Sequence, residues 1–314
     1  MTVQSSPRIL SLLPSGTEII CELGLEKFLV GRSHECDYPE SVKRLPVCSR
    51  PNYPSGRNSM EIHESARDIL KHALSIYQVD VNKIQSLRPT HILTQSQCEV
   101  CAISTSELQL ALHELIREEG ITVFDSNPVD LDAIYRNIRQ ISNALRVPDA
   151  GDRLTTRIEK RFEKIHAETN EIPVKPNVAH IEWIEPLMTG GHWMYSLIDW
   201  AGGRDCFRNT TNRWITIQDL EKHNPDKIVI APCGFNVERT LEEIQSLAGY
   251  KEWQRLNAVQ TGQVYLCDGS SYFNRPGPRL TDSLKILAEI YHPELYPKSY
   301  TDRDWIRYEP DVIK

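Results

Sequence analysis

The stretch RILSLLPSGTEIICELGLEKFLVGRS, residues 8–33, reads as strand, helix, strand. RILSLLP is a short apolar run with the length of a buried strand, and FLVGRS (28–33) is a second. Between them GTEIICELGL carries apolar residues at helical spacing, with Ser15 placed to cap it and Gly24 to end it. Two strands separated by one helix form a βαβ unit, in which the strands run parallel and the helix covers one face. Cys21 falls on the apolar side of that helix, where packing is its expected role.

The alternation continues outward. THILTQ (90–95) and ITVFDS (121–126) read as strands, with the helix STSELQLALHELIREEG (104–120) between them, its core face set by Leu108, Leu112, Leu115 and Ile116. DLDAIYRNIRQISNALRV (130–147) is an amphipathic helix. Beyond Pro148, DAGDRLTTRIEKRFEKIHAETNE (149–171) continues as a long charged one, spanning about 30 Å. A helix so polar is suited to bridging two lobes. Alternation then resumes: NVAHIEWI (177–184), DKIVIAPC (226–233) and QVYLCD (263–268) are strands, with helices near 193–201, 238–247 and 280–291. The expected fold is α/β, with two Rossmann-like lobes at 1–148 and 173–314, a rigid connecting helix at 149–172, and a ligand cleft between the lobes.

Bulk properties narrow the class. The 314 residues are 40% hydrophobic and 25% charged, as in an ordinary globular protein. A net charge of −7 without a basic run argues against a nucleic-acid partner. No apolar run approaches the roughly 18 residues of a membrane span, so membrane insertion is not expected. The first twenty residues carry only Arg8 before an apolar stretch that Pro14, Ser15 and Gly16 break, which is unlike a secretory signal. Cytoplasm is the expected compartment. There the eight cysteines default to free thiols, and clusters of them point to metal or redox chemistry.

In open parallel sheets, ligands bind outside the carboxyl ends of the strands. Chemistry-bearing residues gather there. His34, Glu35 and Cys36 follow FLVGRS, and Cys98 and Cys101 follow THILTQ. Glu182 and Trp183 end NVAHIEWI, followed by His192 and Trp193, while Cys233 ends DKIVIAPC. Tyr272, Asn274 and Arg275 come after QVYLCD. Taken singly, each has an ordinary structural role: a core histidine, a loop charge, a rim aromatic, a stiff RPGPR turn. Their shared position makes a small-molecule ligand site of them. Cys98-x-x-Cys101 stays open between pocket lining, a redox dithiol, and a metal site completed by Cys36, His34 or Cys233. The G-x-S-x-G, G-x-G-x-x-G and P-loop patterns are missing from the sequence.

SLLPSGTEIICELGL, LVGRSHECDYP, PTHILTQSQCEVCAIS, IEWIEPLMTGGHW, APCGF and YFNRPGPR together resemble the cobalamin-binding branch of the class III substrate-binding proteins, the helical-backbone metal receptors. The likeness runs from about residue 8 to 293 and is similar to a cytosolic subfamily of that branch. It implies two α/β lobes, a connecting helix and a cobalamin-like corrinoid or other metal chelate as ligand. His34 and His192 would then be axial or polar contacts, with Trp183, Trp193 and Tyr272 as aromatic walls and Arg275 meeting an anionic or amide group. A cytosolic setting leaves no route to an ABC permease. The alternative is a cytosolic metal- or thiol-dependent enzyme or sensor on the same scaffold. In it Cys36, Cys98, Cys101 and Cys233 would be nucleophile or ligands to zinc or iron, and Glu182 or His34 the acid–base group.

Overall fold

A computed structural model describes residues 6–51, 58–71 (the last four by backbone alone), 77–95, 116–117, 120–210 and 213–309. The chain divides into two compact units, Met1–Arg57 with Glu61–Arg157, and Asn58–Met60 with Ile158–Lys314.

Unit 1 is built on a four-stranded parallel sheet. Strands β1 (Ile9–Ser11) and β2 (Leu29–Arg32) pair directly, as the opening stretch predicts. A short antiparallel pair, β3 (Ser49–Pro51) and β4 (Tyr77–Val79), stands apart from it. Strands β5 (His91–Thr94) and β6 (Thr122–Asp125) complete the order β2-β1-β5-β6. Ile9, Leu10, Ile92 and Leu93 are buried at its centre. The helix predicted over 104–120 lies outside the described residues except at 116–117 and 120.

The first helix corrects one expectation. It spans Pro14–Glu22, with Leu13 as N-cap and no side-chain cap, so Ser15 is inside the helix and does not cap it. Pro14 occupies the first turn, where its missing N–H costs no hydrogen bond and its fixed φ suits the helix. Pro148 likewise opens the long helix, Pro148–Asn170. Within that helix Leu154, Ile158, Phe162 and Ile165 form a buried stripe at helical spacing. In unit 2 its end is tied down by Thr169 Oγ1, which donates to the Trp200 carbonyl at 2.7 Å, and by Phe162 and His166 against the Trp200 ring.

Unit 2 holds a mixed sheet. Its strands are β7 (Asn177–Trp183), β8 (Met188–Thr189), β9 (Arg204–Asp205), β10 (Lys227–Ile230), β11 (Val264–Cys267) and β12 (Trp305–Arg307). The order is β12-β11-β10-β7-β8, with β9 on β7. The central β7, β10 and β11 are parallel, whereas β8 and β12 run antiparallel to their neighbours. Their apolar runs fill the core, where Ala179, Ile181, Ile228, Ile230, Val264 and Leu266 meet Trp253 and Leu256. Helices Met194–Trp200 and Leu280–Tyr291 lie where predicted, while the single helix expected over 238–247 is two, Val237–Glu243 and Gln245–Ala248. The architecture is therefore the expected mixed α/β one, with parallel strands at the centre of each unit's sheet. Among the described residues no helix is long and apolar enough to cross a membrane.

Candidate functional site

At the carboxyl ends of β7, β10 and β11 the loops of unit 2 are bound to one another through backbone. The Cys233 amide donates to the Glu182 carbonyl at 3.2 Å, and the Ser270 amide to the Phe235 carbonyl at 3.0 Å. Asn274 Nδ2 spends its hydrogens on the carbonyls of Ala231 (3.1 Å) and Gly269 (3.0 Å), which makes Asn274 a clamp between two loops. Trp193 Nε1 donates to the Phe273 carbonyl at 2.7 Å, bringing the start of the Met194–Trp200 helix to the same edge.

On this frame the aromatic groups are partly exposed. Trp183 packs its ring against Phe235 (5.3 Å between centroids) and donates to the Glu185 carbonyl at 3.1 Å. His192 is exposed and stacks on Trp193 at 5.9 Å. Tyr272 donates its hydroxyl to Asp304 at 2.9 Å and carries the Arg279 guanidinium over its ring. Arg275 is buried; burial pushes the Asp268 carboxyl up, against bonds from Ser271 and Ser270 and the charge of Arg275. Cys233 is exposed at the tip of its loop.

Beneath this edge lies a buried polar group. His180 and Glu182 are two residues apart on β7 and so share one face. Glu182, 7% exposed, is paired with Arg213, whose Nε donates to the Thr189 carbonyl at 3.0 Å. Burial pushes the Glu182 carboxyl up to about 7, against the pull of Arg213 and a bond from the Gly191 amide. The chain passes close by as Gly190 and Gly191: a Cβ on Gly190 would come within 2.9 Å of the His180 ring, and one on Gly191 within 2.7 Å of Arg213 Nε. Arg213 and His180 are absent from the sequence-based site. His180 was legible, as an imidazole inside an apolar strand run. Arg213 sits in TTNRW, where no local pattern marks it.

His180 is 1% exposed and neither ring nitrogen has a hydrogen-bond partner. Burial, with Arg213 adding to it, lowers its pKa from 6.5 to about 3. Between those values the unfolded chain holds more protons, so this group's contribution is present at neutral pH and is lost as pH falls. A His180→Leu variant should therefore gain about 2 kcal/mol on the wild type between pH 8 and pH 5. Urea midpoints at the two pH values check this, and a difference that does not change with pH would show that His180 does not stay neutral in the fold.

In unit 1 the carboxyl end of β2 leads into His34, Glu35 and Cys36. His34 Nδ1 lies 2.8 Å from Ser49 Oγ, and its ring packs against Tyr77 at 5.1 Å. Tyr77 donates its hydroxyl to Glu35 at 2.9 Å. Ser49 and Tyr77, both missed in the sequence, are supplied by the β3–β4 pair. Cys36 is fully buried, with Sγ 3.1 Å from Ser33 Oγ and 3.7 Å from the Ser11 carbonyl, and burial pushes its thiol up. That placement suits packing. Cys98 and Cys101 lie outside the described residues.

The sequence profile of the periplasmic binding proteins matches residues 9–270. The chain belongs to the periplasmic binding protein family. An ABC transporter substrate-binding lipoprotein of Bacillus subtilis is 25% identical to it over 307 residues, covering 94% of this chain and 83% of the relative. A vitamin B12-binding protein of Vibrio cholerae is 24% identical over 284 residues, covering 88% and 86%. A periplasmic heme-binding protein from Pseudomonas aeruginosa shares the fold, with a TM-score of 0.69 at 19% identity over 96% of this chain and 99% of that one.

For this periplasmic binding protein the expected cytoplasmic setting is overturned. Its relatives are periplasmic proteins or lipoproteins, which points outside the cytoplasm, and the reading of residues 1–20 gives way to that. The doubt about an ABC permease partner rested on the same reading and falls with it. Among the described residues no group of three or more His, Cys, Asp or Glu side chains is placed to hold a metal ion, and Cys98 and Cys101 lie outside them.

Proposed function

We propose that the chain is the extracytoplasmic substrate-binding component of an ABC importer, and that its solute is a corrinoid or a related planar metal chelate. The observation that carries this is the set of aromatic side chains at the carboxyl edge of the unit 2 sheet, on loops fixed by Asn274 and by the Trp193–Phe273 bond. Trp183 and Trp193 offer the broad apolar contact a macrocycle needs. Tyr272 and Arg275 stand beside them for its amide or carboxylate rim. Glu182 acts from below, holding Arg213 and the Gly190–Gly191 backbone under the ligand surface. The family and the B12-binding relative support the ligand class, and the lipoprotein relative supports a permease partner.

Tryptophan fluorescence tests the reading. Titration with cyanocobalamin, hemin and a ferric siderophore should give saturable quenching by a macrocyclic chelate, with a dissociation constant of about 1 μM or below. Trp193→Ala should weaken that binding by about tenfold, within the range of a stacked aromatic contact. A flat titration with every chelate, or full affinity in the Trp183→Ala, Trp193→Ala double variant, would overturn it.

A further inference from the structure

The hydrogen bonds around Glu182 depend on whether its carboxyl is ionised. As a carboxylate it accepts from Arg213 Nη2 and from the Gly191 amide, two donors with nothing to accept a proton. Arg213 Nε donates in turn to the Thr189 carbonyl at 3.0 Å. The backbone passes so close that a Cβ on Gly191 would lie 2.7 Å from that nitrogen. The ionised carboxylate therefore fastens β8 and Gly191 to β7 through one guanidinium. Trp193, two residues beyond Gly191, completes the segment with its bond to the Phe273 carbonyl.

Protonation puts an O–H where those donors stand. An acceptor lies on the same face of β7: His180 is 1% exposed, and neither ring nitrogen has a partner among the described residues. A neutral imidazole carries one acceptor nitrogen. The two side chains flank Gly190, where a Cβ would be 2.9 Å from His180 Cδ2 and 3.4 Å from Glu182 Oε1. We infer, resting on the chelate reading above, that Glu182 is the positioning residue of an acid-release latch. Ionised, it holds Gly191–Trp193 in the solute-binding conformation through Arg213; protonated, it turns to His180, and the solute is let go.

Burial raises the Glu182 carboxyl to about 7, so both forms are present near neutral pH. Solute binds the ionised form, so affinity is full above that value and falls as pH drops through it. Other charged and titratable groups face the pair. Asp205 on β9, pushed up by burial to about 6, acts on Glu182 directly. Tyr195, on the Met194–Trp200 helix, lies in the field of both carboxyls, Arg213 and Arg208. Burial and the Arg213 charge lower His180 to about 3 and lower His192 as well. Asp205 and His192 also titrate in the acid range, so each has its own variant below.

Cyanocobalamin carries no group that titrates between pH 8 and pH 5, so its binding reads the protein alone. The full chain should bind it about tenfold more weakly at pH 5 than at pH 8, which by linkage is about tenfold tighter proton binding in the solute-free chain. Glu182→Gln cannot ionise and should bind equally at both pH values. His192→Gln and Asp205→Asn should keep the tenfold difference, whatever they do to affinity itself. Without solute, amide exchange at Gly191, corrected for its intrinsic pH dependence, should be faster at pH 5 than at pH 8 in the wild type and alike at the two in Glu182→Gln. Equal wild-type affinities, a difference that survives Glu182→Gln, or one that disappears in His192→Gln or Asp205→Asn, overturns the latch and leaves the binding function standing. Corrected exchange at Gly191 that does not change with pH overturns it whatever the solute. Failure of the wild type to bind cyanocobalamin at either pH overturns the corrinoid reading and the acid release with it.

Discussion

Gly269→Ala should destabilise unit 2 by about 3 kcal/mol or more, at the upper end of overpacking substitutions. A Cβ at this position would lie 2.2 Å from the Pro232 carbonyl oxygen and 2.6 Å from the Ala231 carbonyl carbon and oxygen. All three are backbone atoms, so no side-chain rotation relieves the clash. The loop after β11 would have to leave the end of β10 and release the Asn274 clamp, which spans these same residues. Stability and ligand affinity should fall together. Gly249→Ala is the matched control, since nothing lies within 4 Å of its added Cβ and its φ is −73°. Urea unfolding of the two variants decides the point. Similar midpoints for both would mean the two loops are not in the contact described.

Arg213→Leu should cost about 3 kcal/mol at pH 8, the low end for leaving one member of a buried pair alone, because the Arg213 side chain is 30% exposed. The penalty should shrink at pH 5. The Glu182 carboxyl titrates at about 7 in the folded chain, above its ordinary value, so the folded state holds a proton that the unfolded state has released. Stability from this group is complete below the unfolded pKa and is lost as pH rises through 7. Without Arg213 the carboxylate is harder still to form, and the loss on the alkaline side grows. Adding Glu182→Gln should restore most of the stability at pH 8 by removing the buried charge. A pH-independent penalty, or no rescue by glutamine, would show that the pair is not what limits stability there.

Most strands, and the helices Leu131–Ala144 and Leu280–Tyr291, were legible because their periodicity is local. Features set by remote partners were not. Pro14 reads as a breaker in a linear scan and becomes the first residue of a helix once the chain turns there. Strand β3 is three residues long, and its partner Tyr77 is 26 positions after Pro51, so no short-range signal announces the pair. Arg213 matters only because folding places it against Glu182, 31 residues away. Asn274 was read as a ligand contact from its place in FNRPGPR, yet its amide hydrogens go to two carbonyls of the frame. The compartment was misread from the leading residues and was corrected by family membership over residues 9–270.

The direct test of the binding function is equilibrium dialysis of the purified full chain against cyanocobalamin, with hemin in parallel, followed by visible absorbance. About one chelate retained per chain, with a dissociation constant of about 1 μM or below and release on denaturation, is the expected result. No retention of either chelate above the buffer compartment, from a chain shown to be folded by its urea transition, would contradict it.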